Sequence, residues 1–279
     1  MDSLINQIDI FSDDEYVLFP FYKDGKPLDI LSPKWGMTLK KAGSMRFRWN
    51  EKNPVRKNMF SSILSDLSDY SLQSEFVPVE LIHSKIVYDV SSVEDTKNKQ
   101  GDGIITCNKN LIPVVTVADC VPVYFYDCKS QVFGVVHSGW KGTGIIEEAL
   151  KIAVKKYSCA IEDICVAIGP HIHDCCYVVN EERAAYFVDN FSKECVKKID
   201  IDFFAKKELL KNWNYGSGNL YSLSLLQANL RVLAKIGINP QNIVVAKNCT
   251  CCNEIFGSNR RETLSSDNFT VQAAFLGYF

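Results

Sequence analysis

Histidine is scarce in this chain, which has four histidines among its 279 residues. A multicopper oxidase needs many imidazole ligands for a trinuclear centre and a blue-copper site, so we do not expect that chemistry. Long apolar runs are scarce too. The most apolar segment, LIPVVTVADCVPVYFY, carries Asp119 at its middle and falls short of the about 18 residues that span a membrane. We therefore predict no membrane association.

An excess of one charge sign is also absent. The chain has 31 basic and 33 acidic side chains, so its net charge of −2 gives no general attraction to nucleic acid or anionic membranes. Its first residues, MDSLINQIDIFSDDEY, lack the basic-then-apolar order of a signal peptide. Eleven cysteines, an odd number in a long chain, are more typical of reduced thiols than of a disulfide scaffold. We expect a cytoplasmic globular protein and leave its oligomeric state open.

Three common nucleotide and hydrolase motifs are missing. The chain contains no GxxxxGK[ST], GxGxxG or GxSxG sequence, which disfavours P-loop hydrolysis, dinucleotide redox chemistry and α/β-hydrolase chemistry. No linker rich in proline, serine or glycine divides the chain. We therefore predict a single domain over residues 1–279. Residues 1–75 contain neither histidine nor cysteine, and we predict that they form a peripheral part.

Short apolar runs rich in β-branched residues predict strands. These runs cover residues 76–90, 103–107, 111–117, 121–127, 132–137, 164–168, 242–247 and 269–278. Helices are predicted over 144–157, over 180–191, and from the capping residue Ser224 to Gly237. The runs VVTVA, VPVYFY and VFGVV are almost continuous, which is typical of strands buried on both faces. Together they predict an α+β fold, a single layered domain of mixed β-sheets covered by a few helices.

Three residues carry the most specific chemistry. His83 lies in a strand-like run, Cys120 lies between two buried strands, and His137 ends the next strand. Two imidazoles and one thiolate suit Zn²⁺, and three protein ligands leave a fourth position for water. No short-range spacing links the three residues. Ordinary core packing of each histidine and of the thiol therefore stays an alternative.

The remaining cysteines and histidines give weaker signals. Cys175, Cys176 and the CTCC segment 249–252 are candidates for a second metal or redox site. However, C-x-C-C matches the usual paired ligand spacing poorly, and vicinal cysteines form disulfides only with strain. We favour free thiols near a surface. His171 and His173 alternate along the backbone and could chelate a metal, or lie in a pocket wall or a solvated loop.

Several polar and aromatic residues near these segments are candidates for substrate contacts. Arg260 and Arg261 could grip a phosphate, although a surface arginine pair is the commoner situation. Trp140 could stack on a base or simply pack. Lys141 and the backbone amides of 142–144, which lead into a predicted helix, are candidates for binding an anion.

The order of seven motifs resembles a known family. The chain carries IHSKIV, GDGIIT, TVADCVPVYFYD, GVVHSGWKGT, AIGPHIHDCCYVV, LLQANLRVLAKIGI and CTCCNEIFGSNRRE. Over about residues 76–279 this series is similar to the YfiH-like (laccase-domain) purine nucleoside phosphorylase family, whose members are also called polyphenol oxidases or peptidoglycan editing factors. The resemblance implies a layered α+β domain with Zn²⁺ held at the positions of His83, Cys120 and His137.

The resemblance also implies an activity: phosphorolysis of adenosine, inosine and methylthioadenosine, and deamination of adenosine. We therefore predict Zn²⁺ as cofactor, and a purine nucleoside and inorganic phosphate as substrates. The predicted catalytic residues are Asp119, Lys141 and Arg260, and the predicted substrate-binding residues are Gly139, Trp140 and Cys176. The chain departs from the family where Val178 replaces a glutamate and Ser224 an aspartate. Two alternatives stay open: an amidase that edits peptidoglycan precursors, and a catalytically weak nucleoside-binding protein.

Overall fold

The computed structural model describes residues 4–66, 74–200, 218–264 and 268–279. In these ranges the strands are β1 (Asn6–Ile8), β2 (Tyr16–Pro20), β3 (Tyr22–Lys23), β4 (Lys26–Pro27), β5 (Lys34–Thr38), β6 (Glu75–Pro78), β7 (Val87–Asp89), β8 (Gly103–Thr106), β9 (Leu111–Val117), β10 (Val121–Asp127), β11 (Phe133–Ser138), β12 (Ile164–Ile168), β13 (Val178–Asn180), β14 (Val196–Lys198), β15 (Leu220–Leu223), β16 (Ile243–Ala246) and β17 (Gln272–Gly277). The α-helices are α1 (Pro54–Asp66), α2 (Ile146–Tyr157), α3 (Glu181–Asn190), α4 (Leu225–Ile236) and α5 (Asn259–Glu262). This content confirms the predicted α+β class.

Most strands belong to two mixed sheets. The seven-stranded sheet has the order β1-β16-β12-β10-β11-β8-β7, and the five-stranded sheet has the order β2-β5-β17-β9-β6. Within them β12 runs parallel to β16 and β6 parallel to β9, whereas β10 runs antiparallel to β11 and to β12. Strands β13, β15 and β14 form a small third sheet, and β3 pairs with β4.

The two large sheets pack face to face. Tyr124 and Val135 of the seven-stranded sheet share one buried cluster with Trp35 and Val115 of the five-stranded sheet. The Tyr124 hydroxyl also donates a hydrogen bond of 2.9 Å to the carbonyl of Gly36, which ties the sheets together. Helices α2 and α4, together with α3 on the small third sheet, share one buried cluster with the outer face of the larger sheet, and α1 covers that of the smaller one. The result is four layers.

The position of β10 between two apolar layers explains why its apolar run is nearly continuous. Val123 and Phe125 pack among residues of the covering helices, while Tyr124 and Tyr126 pack against the second sheet. Because successive side chains of a strand point to opposite faces, a strand between two apolar layers needs apolar residues at every position. The predicted burial of this strand on both faces is confirmed.

The helix ends follow their capping residues. Helix α4 begins after Ser224, whose Oγ accepts a 3.2 Å hydrogen bond from the backbone N–H of Gln227. It ends at Gly237, which has a φ of +96° that glycine adopts without a steric penalty. Helix α3 begins after Asn180, whose side chain accepts from the N–H of Arg183. The predicted helices are thus confirmed to within two residues at each end.

The predicted strand over 76–90 is wrong. Strand β6 ends at Pro78 and β7 begins at Val87, and the two belong to different sheets. His83 lies in the loop between them with a φ of +58°. The loop is held away from either sheet because the Asp102 carboxylate accepts hydrogen bonds from the backbone N–H groups of His83 and Ser84, which replace ladder bonds.

The N-terminal part of the chain is more deeply built into the fold than the predicted periphery. Strands β2 and β5 lie in the five-stranded sheet, where β5 pairs with β17 from the other end of the chain. Phe21 and Trp35 are completely buried. A pairing between segments more than 200 residues apart leaves no local signal, so composition alone misses it. None of the described helices is long and apolar enough to cross a membrane.

Candidate active site

The three predicted metal ligands converge in space. His83 comes from the β6–β7 loop, Cys120 from the turn between β9 and β10, and His137 from β11, and their ligand atoms all lie within 4.8 Å of one another. The register of the sheet explains part of this, because Pro122 on β10 lies opposite His137 on β11. Two imidazole nitrogens and one thiolate sulfur that meet in this way can hold a metal ion.

Asp102 orients two of the three ligands. Its Oδ1 lies 2.9 Å from Nδ1 of His137 and also accepts the backbone N–H of His83 at 2.9 Å, and its Oδ2 accepts from Ser84. The bond to Nδ1 leaves Nε2 of His137 as the nitrogen available to a metal. A carboxylate behind a ligating histidine is a common arrangement, since it fixes the ring and increases its basicity. In the sequence, Asp102 is marked only by its place in the GDGIIT motif.

The electrostatics of the three residues favour the thiolate form of Cys120 and the protonated form of His137 as a charged pair. Burial by itself would raise the pKa of Cys120, but the imidazoles of His137 and His83 lower it to about 6. Burial would likewise lower the pKa of His137, but Cys120 and Asp102 raise it to about 9. Burial also acts against ionisation of Asp102, yet hydrogen bonds from His137 and Ser84 hold the pKa of Asp102 below its usual value. The thiolate form of Cys120, the form that binds metals, is therefore favoured near neutral pH.

Gly139 allows the three ligands to approach the backbone. A Cβ atom at this position would lie 3.0 Å from Sγ of Cys120, 3.0 Å from Cδ2 of His83 and 3.2 Å from Cε1 of His137. Any side chain here would press on all three ligands at once. Substrate binding by Gly139 stays a prediction, and the crowding gives an independent reason for glycine at this position.

A cavity of about 580 Å³ opens beside the three ligands. Its walls combine the metal-binding side chains with aromatic rings and arginines. The lining residues are Arg46, Phe47, Arg48, Leu81, His83, Thr116, Ala118, Asp119, Cys120, His137, Trp140, Ile172, Tyr177, Arg183, Leu225, Asn259, Arg260, Phe269 and Val271. The volume falls within the range of small-molecule sites.

Asp119, predicted to be catalytic, lines this cavity but uses both carboxylate oxygens for structural bonds. Oδ1 accepts a 2.7 Å hydrogen bond from Thr250, and Oδ2 accepts a 2.6 Å bond from the backbone N–H of Arg260. Burial raises the pKa of Asp119, while these donors oppose that shift. The residue also has a φ of +81° beside Cys120. These contacts favour a role in positioning the Cys120 turn.

The two neighbouring arginines have different surroundings. Arg260 is buried, lines the cavity and donates from its guanidinium to the carbonyls of Cys176 and Val178. Arg261 faces away and donates to several backbone carbonyls of its own loop, including those of Thr250 and Cys251. Only Arg260 can therefore contact a substrate, and the pair is not a surface pair.

Lys141 does not line the cavity. It is exposed, and its ammonium group lies 5.4 Å from the centroid of the Trp140 ring. Among the backbone amides that follow, that of Thr143 donates to the carbonyl of Trp140 and that of Ile145 donates to the carbonyl of Gly142. Anion binding by the amides of 142–144 and the catalytic role of Lys141 both stay predictions.

Trp140 lines the cavity, as a residue that binds substrate must. The guanidinium of Arg183 lies 4.0 Å above its ring and donates to the hydroxyl of Tyr177. Trp140 Nε1 and Arg183 Nε are both buried and have no hydrogen-bond partner among the described residues. Buried donors of this kind normally have partners, so a ligand oxygen is a natural occupant of the space that they face.

Three cavity arginines were not found from the sequence. Arg46 and Arg48 belong to the N-terminal part, where no motif marks them, and Arg183 sits in a helix that reads as an ordinary amphipathic one. A weak signal existed in the alternation RFRW at 46–49, because alternate residues of extended backbone share a side.

The remaining predicted residues lie behind the cavity wall. Cys176 does not line the cavity, although the next residue, Tyr177, does. Ile172 lines it too, whereas His171 and His173 on either side do not. Burial lowers the pKa of His171 to about 3, so this histidine is neutral. The histidine pair is thus neither the cavity lining nor a solvated loop.

Comparison with known proteins places the chain among related sequences. Residues 50–270 match the family described as multi-copper polyphenol oxidoreductase laccase. A protein of Borreliella burgdorferi named purine nucleoside phosphorylase is 30% identical over 214 residues, which are 74% of this chain and 84% of that protein. The mouse purine nucleoside phosphorylase LACC1 is 32% identical over 182 residues, 63% of this chain but only 37% of the mouse protein. A prokaryotic protein named adenosine deaminase RL5 is 29% identical over 167 residues, 59% of this chain and 58% of that protein.

Solved structures share the fold. The Bacillus licheniformis protein YfiH superposes with a TM-score of 0.73 at 25% identity, over 88% of this chain and 93% of that one. YlmD from Geobacillus stearothermophilus gives 0.72 at 24% identity, over 97% and 99%. The motifs, the four-layered fold and the match over residues 50–270 agree, and the chain belongs to the multi-copper polyphenol oxidoreductase laccase family, the YfiH-like family that its motifs resemble.

Proposed function

We propose that the protein is a zinc-dependent enzyme of purine nucleosides, which cleaves adenosine, inosine and methylthioadenosine with inorganic phosphate and also deaminates adenosine. One observation carries the proposal: His83, Cys120 and His137 converge on the wall of a cavity that is also lined by aromatic rings and arginines. The names of the Borreliella and RL5 relatives, a purine nucleoside phosphorylase and an adenosine deaminase, support both activities.

The donor set fits zinc, and the chain has too few histidines for a multicopper centre. One thiolate and two imidazoles are ligands that zinc binds, three protein ligands leave a fourth position open, and four histidines in the whole chain cannot build a multicopper centre. When bound, Zn²⁺ supplies Lewis acidity and an activated water at the cavity wall. The protein supplies the orientation, through Asp102 behind His137 and through the close backbone at Gly139.

The aromatic lining suits a purine base. Phe47, Trp140, Tyr177 and Phe269 contribute rings to the cavity, and an apolar slot of this kind buries a flat heterocycle while polar groups fix its orientation. The Tyr177 hydroxyl is held by Arg183, so this ring is fixed before a ligand arrives. Preorganised walls lower the entropic cost of binding.

The arginines suit inorganic phosphate. Arg46, Arg48, Arg183 and Arg260 all line the cavity, which gives a site for a dianion that does not depend on Lys141. Arg183 is the strongest candidate because its Nε, like the neighbouring Trp140 Nε1, is buried without a partner among the described residues. A guanidinium can present two parallel N–H groups to phosphate oxygens, which a lysine cannot.

The activity test uses the zinc-loaded chain. Protein with a measured zinc content is incubated with adenosine in the presence and absence of phosphate, and adenine, ribose-1-phosphate and inosine are separated by chromatography. Adenine and ribose-1-phosphate that appear only with phosphate support phosphorolysis, and inosine without phosphate supports deamination. His137→Ala should abolish both reactions, while Cys107→Ser, a change at an exposed thiol outside the site, should leave them intact.

The two alternatives give different outcomes in the same experiment. An editing amidase would cleave a muramyl peptide with the wrong amino acid and leave nucleosides untouched. A weak nucleoside-binding protein would show a rise in melting temperature with adenosine but no product. Full zinc loading without turnover of any of the three nucleosides contradicts the proposed reaction.

A further inference from the structure

A second group of side chains lies outside the cavity, and the proposed reaction does not use it. The thiols of Cys175, Cys176, Cys249 and Cys252 meet behind the cavity wall, with all four Sγ atoms within 4.8 Å of one another. We call this group the thiol cluster. We propose that the thiol cluster is a second metal site, which holds a Zn²⁺ ion in a closed, four-sulfur coordination.

The distances between the sulfur atoms match one shared ion. Cys176 and Cys252 are 3.3 Å apart, Cys175 and Cys252 are 3.7 Å apart, and Cys175 and Cys176 are 3.8 Å apart. Four sulfurs at about 2.3 Å from a tetrahedral zinc ion lie about 3.8 Å from one another. A disulfide would require about 2.05 Å. The spacing is therefore that of ligands around a centre rather than of a bonded pair.

The fold brings the two halves of the cluster together. Strands β12 and β16 are parallel neighbours, so the loops after them leave the same edge of the sheet. The backbone N–H of Thr250 donates to the carbonyl of His171 at 3.0 Å, which joins the two loops. In the first loop the backbone N–H of Cys176 donates to the carbonyl of His173, and in the second the backbone N–H of Cys252 donates to the carbonyl of Cys249, so each half is a tight turn.

The spacing of one half is that of known zinc turns. Cys249 and Cys252 form a C-x₂-C pair, while Cys251 between them is not part of the cluster. This C-x₂-C spacing is easy to overlook in the sequence CTCC, because the third cysteine makes the spacing look irregular. The backbone N–H of His173 points at Sγ of Cys249 at 3.4 Å, and a hydrogen bond of this kind stabilises a thiolate.

Two of the four thiols are buried, and two arginines lie beside the cluster loops. Cys176 and Cys249 are buried, Cys175 is half-buried and Cys252 is exposed, so the expectation of thiols near a surface holds for Cys252 and not for the buried pair. Arg260 donates to the carbonyl of Cys176, and Arg261 donates to carbonyls within the 249–252 turn. A zinc ion with four thiolates carries two negative charges, which these guanidinium groups offset.

The position of the cluster gives the second ion a structural role. Cys176 is followed by Tyr177, which lines the cavity, and Arg260 contacts both the cavity and the cluster loop. A metal at the cluster would therefore fix one wall of the cavity without touching a substrate. A closed site with four protein ligands leaves no position for water, which is typical of structural zinc.

The test is a metal count on the full chain. Protein expressed with added zinc is desalted, and zinc per chain is measured by plasma mass spectrometry for wild type, the double variant Cys175→Ser, Cys252→Ser, and His137→Ala. We expect two zinc ions in wild type, one in the double variant, and one in His137→Ala. The double variant changes the two least buried ligands so that it still folds, which circular dichroism checks, and Cys107→Ser should keep two ions.

Cobalt substitution identifies which site is filled. Sulfur-to-cobalt absorption in the near ultraviolet grows with the number of thiolates, so the double variant should lose most of it and Cys120→Ser only a minor part. A double variant that keeps the zinc content of wild type overturns the proposal, as does iron in place of zinc or a disulfide within the cluster in the native protein. Because these readouts are metal counts and spectra, failure of the nucleoside assay leaves them unaffected.

Discussion

Replacing Asp102 by asparagine tests how the site is organised. The Asp102 carboxylate accepts from four donors: the His137 ring, the backbone N–H groups of His83 and Ser84, and the Ser84 hydroxyl. In Asp102→Asn the shape is kept, but one of the two oxygens becomes an NH₂ group that cannot accept. If the remaining oxygen serves His137 and His83, the NH₂ group faces two donors of Ser84, and the negative charge behind the imidazole is lost.

The expected effect is on metal affinity more than on folding. Loss of a carboxylate behind a metal-binding histidine typically weakens binding about 10- to 100-fold, which corresponds to about 1.4 to 2.8 kcal/mol. Some loss of stability is also expected, because buried donors without acceptors cost about 1 to 3 kcal/mol. The two effects need separate measurements, since a partly unfolded protein would also bind zinc poorly.

The assay is a competition titration with a fluorescent zinc chelator, in the Cys175→Ser, Cys252→Ser background so that one site titrates. Asp127→Asn is the matched control, because Asp127 is equally buried and accepts hydrogen bonds from the backbone N–H of Lys129 and the hydroxyl of Ser130 in the distant β10–β11 turn. We expect Asp127→Asn to lower the melting temperature and leave zinc affinity unchanged. Equal zinc affinity of folded Asp102→Asn and its parent would refute the reasoning.

Three further changes test other parts of the structure. Gly139→Ala places a methyl group 3.0 Å from Sγ of Cys120, so the same titration should show zinc affinity lowered at least about tenfold. The control is Gly277→Ala, a change at a crowded glycine in β17, which should affect stability alone. Ser224→Ala should lower the free energy of unfolding in urea by about 1 kcal/mol, because the N-terminal cap of α4 is lost. Ser224→Asp should retain the stability, and an equal loss in both variants would contradict the capping role. Arg183→Lys keeps the charge but loses the planar guanidinium that lies over Trp140. KM for phosphate should therefore rise about tenfold or more, while KM for the nucleoside changes little. An unchanged KM for phosphate would remove Arg183 from the phosphate site.

Sequence patterns predict the helices and strands well where the pattern depends on neighbouring residues alone. The run VPVYFY forms a strand buried on both faces, and Ser224 and Gly237 bound a helix. Each of these features depends on neighbouring residues: side-chain alternation, a capping hydroxyl and a residue that tolerates positive φ. The strand predicted over 76–90 is wrong for the opposite reason. The carboxylate of Asp102, which lies outside this segment, accepts hydrogen bonds from the backbone N–H groups of His83 and Ser84.

Candidate site residues divide in the same way. His83, Cys120 and His137 can be singled out by residue type and by the family motifs, and the structure brings their ligand atoms together. Residue type also singles out Lys141, yet its side chain lies outside the cavity. The cavity arginines of the N-terminal part have no motif to mark them, because they reach the site only through the pairing of remote strands.

The sequence by itself determines the class of fold, the ends of its main helices and strands, and the residue types that can bind a metal. These follow from short-range physics: periodicity, capping, and the chemistry of thiolate and imidazole. Tertiary structure alone decides that Asp102 holds two ligands and that Arg183 stacks on Trp140. It also gathers four of the eleven thiols into one cluster. Each of these contacts joins segments far apart in the chain, and only the packing of the sheets determines how close such segments lie.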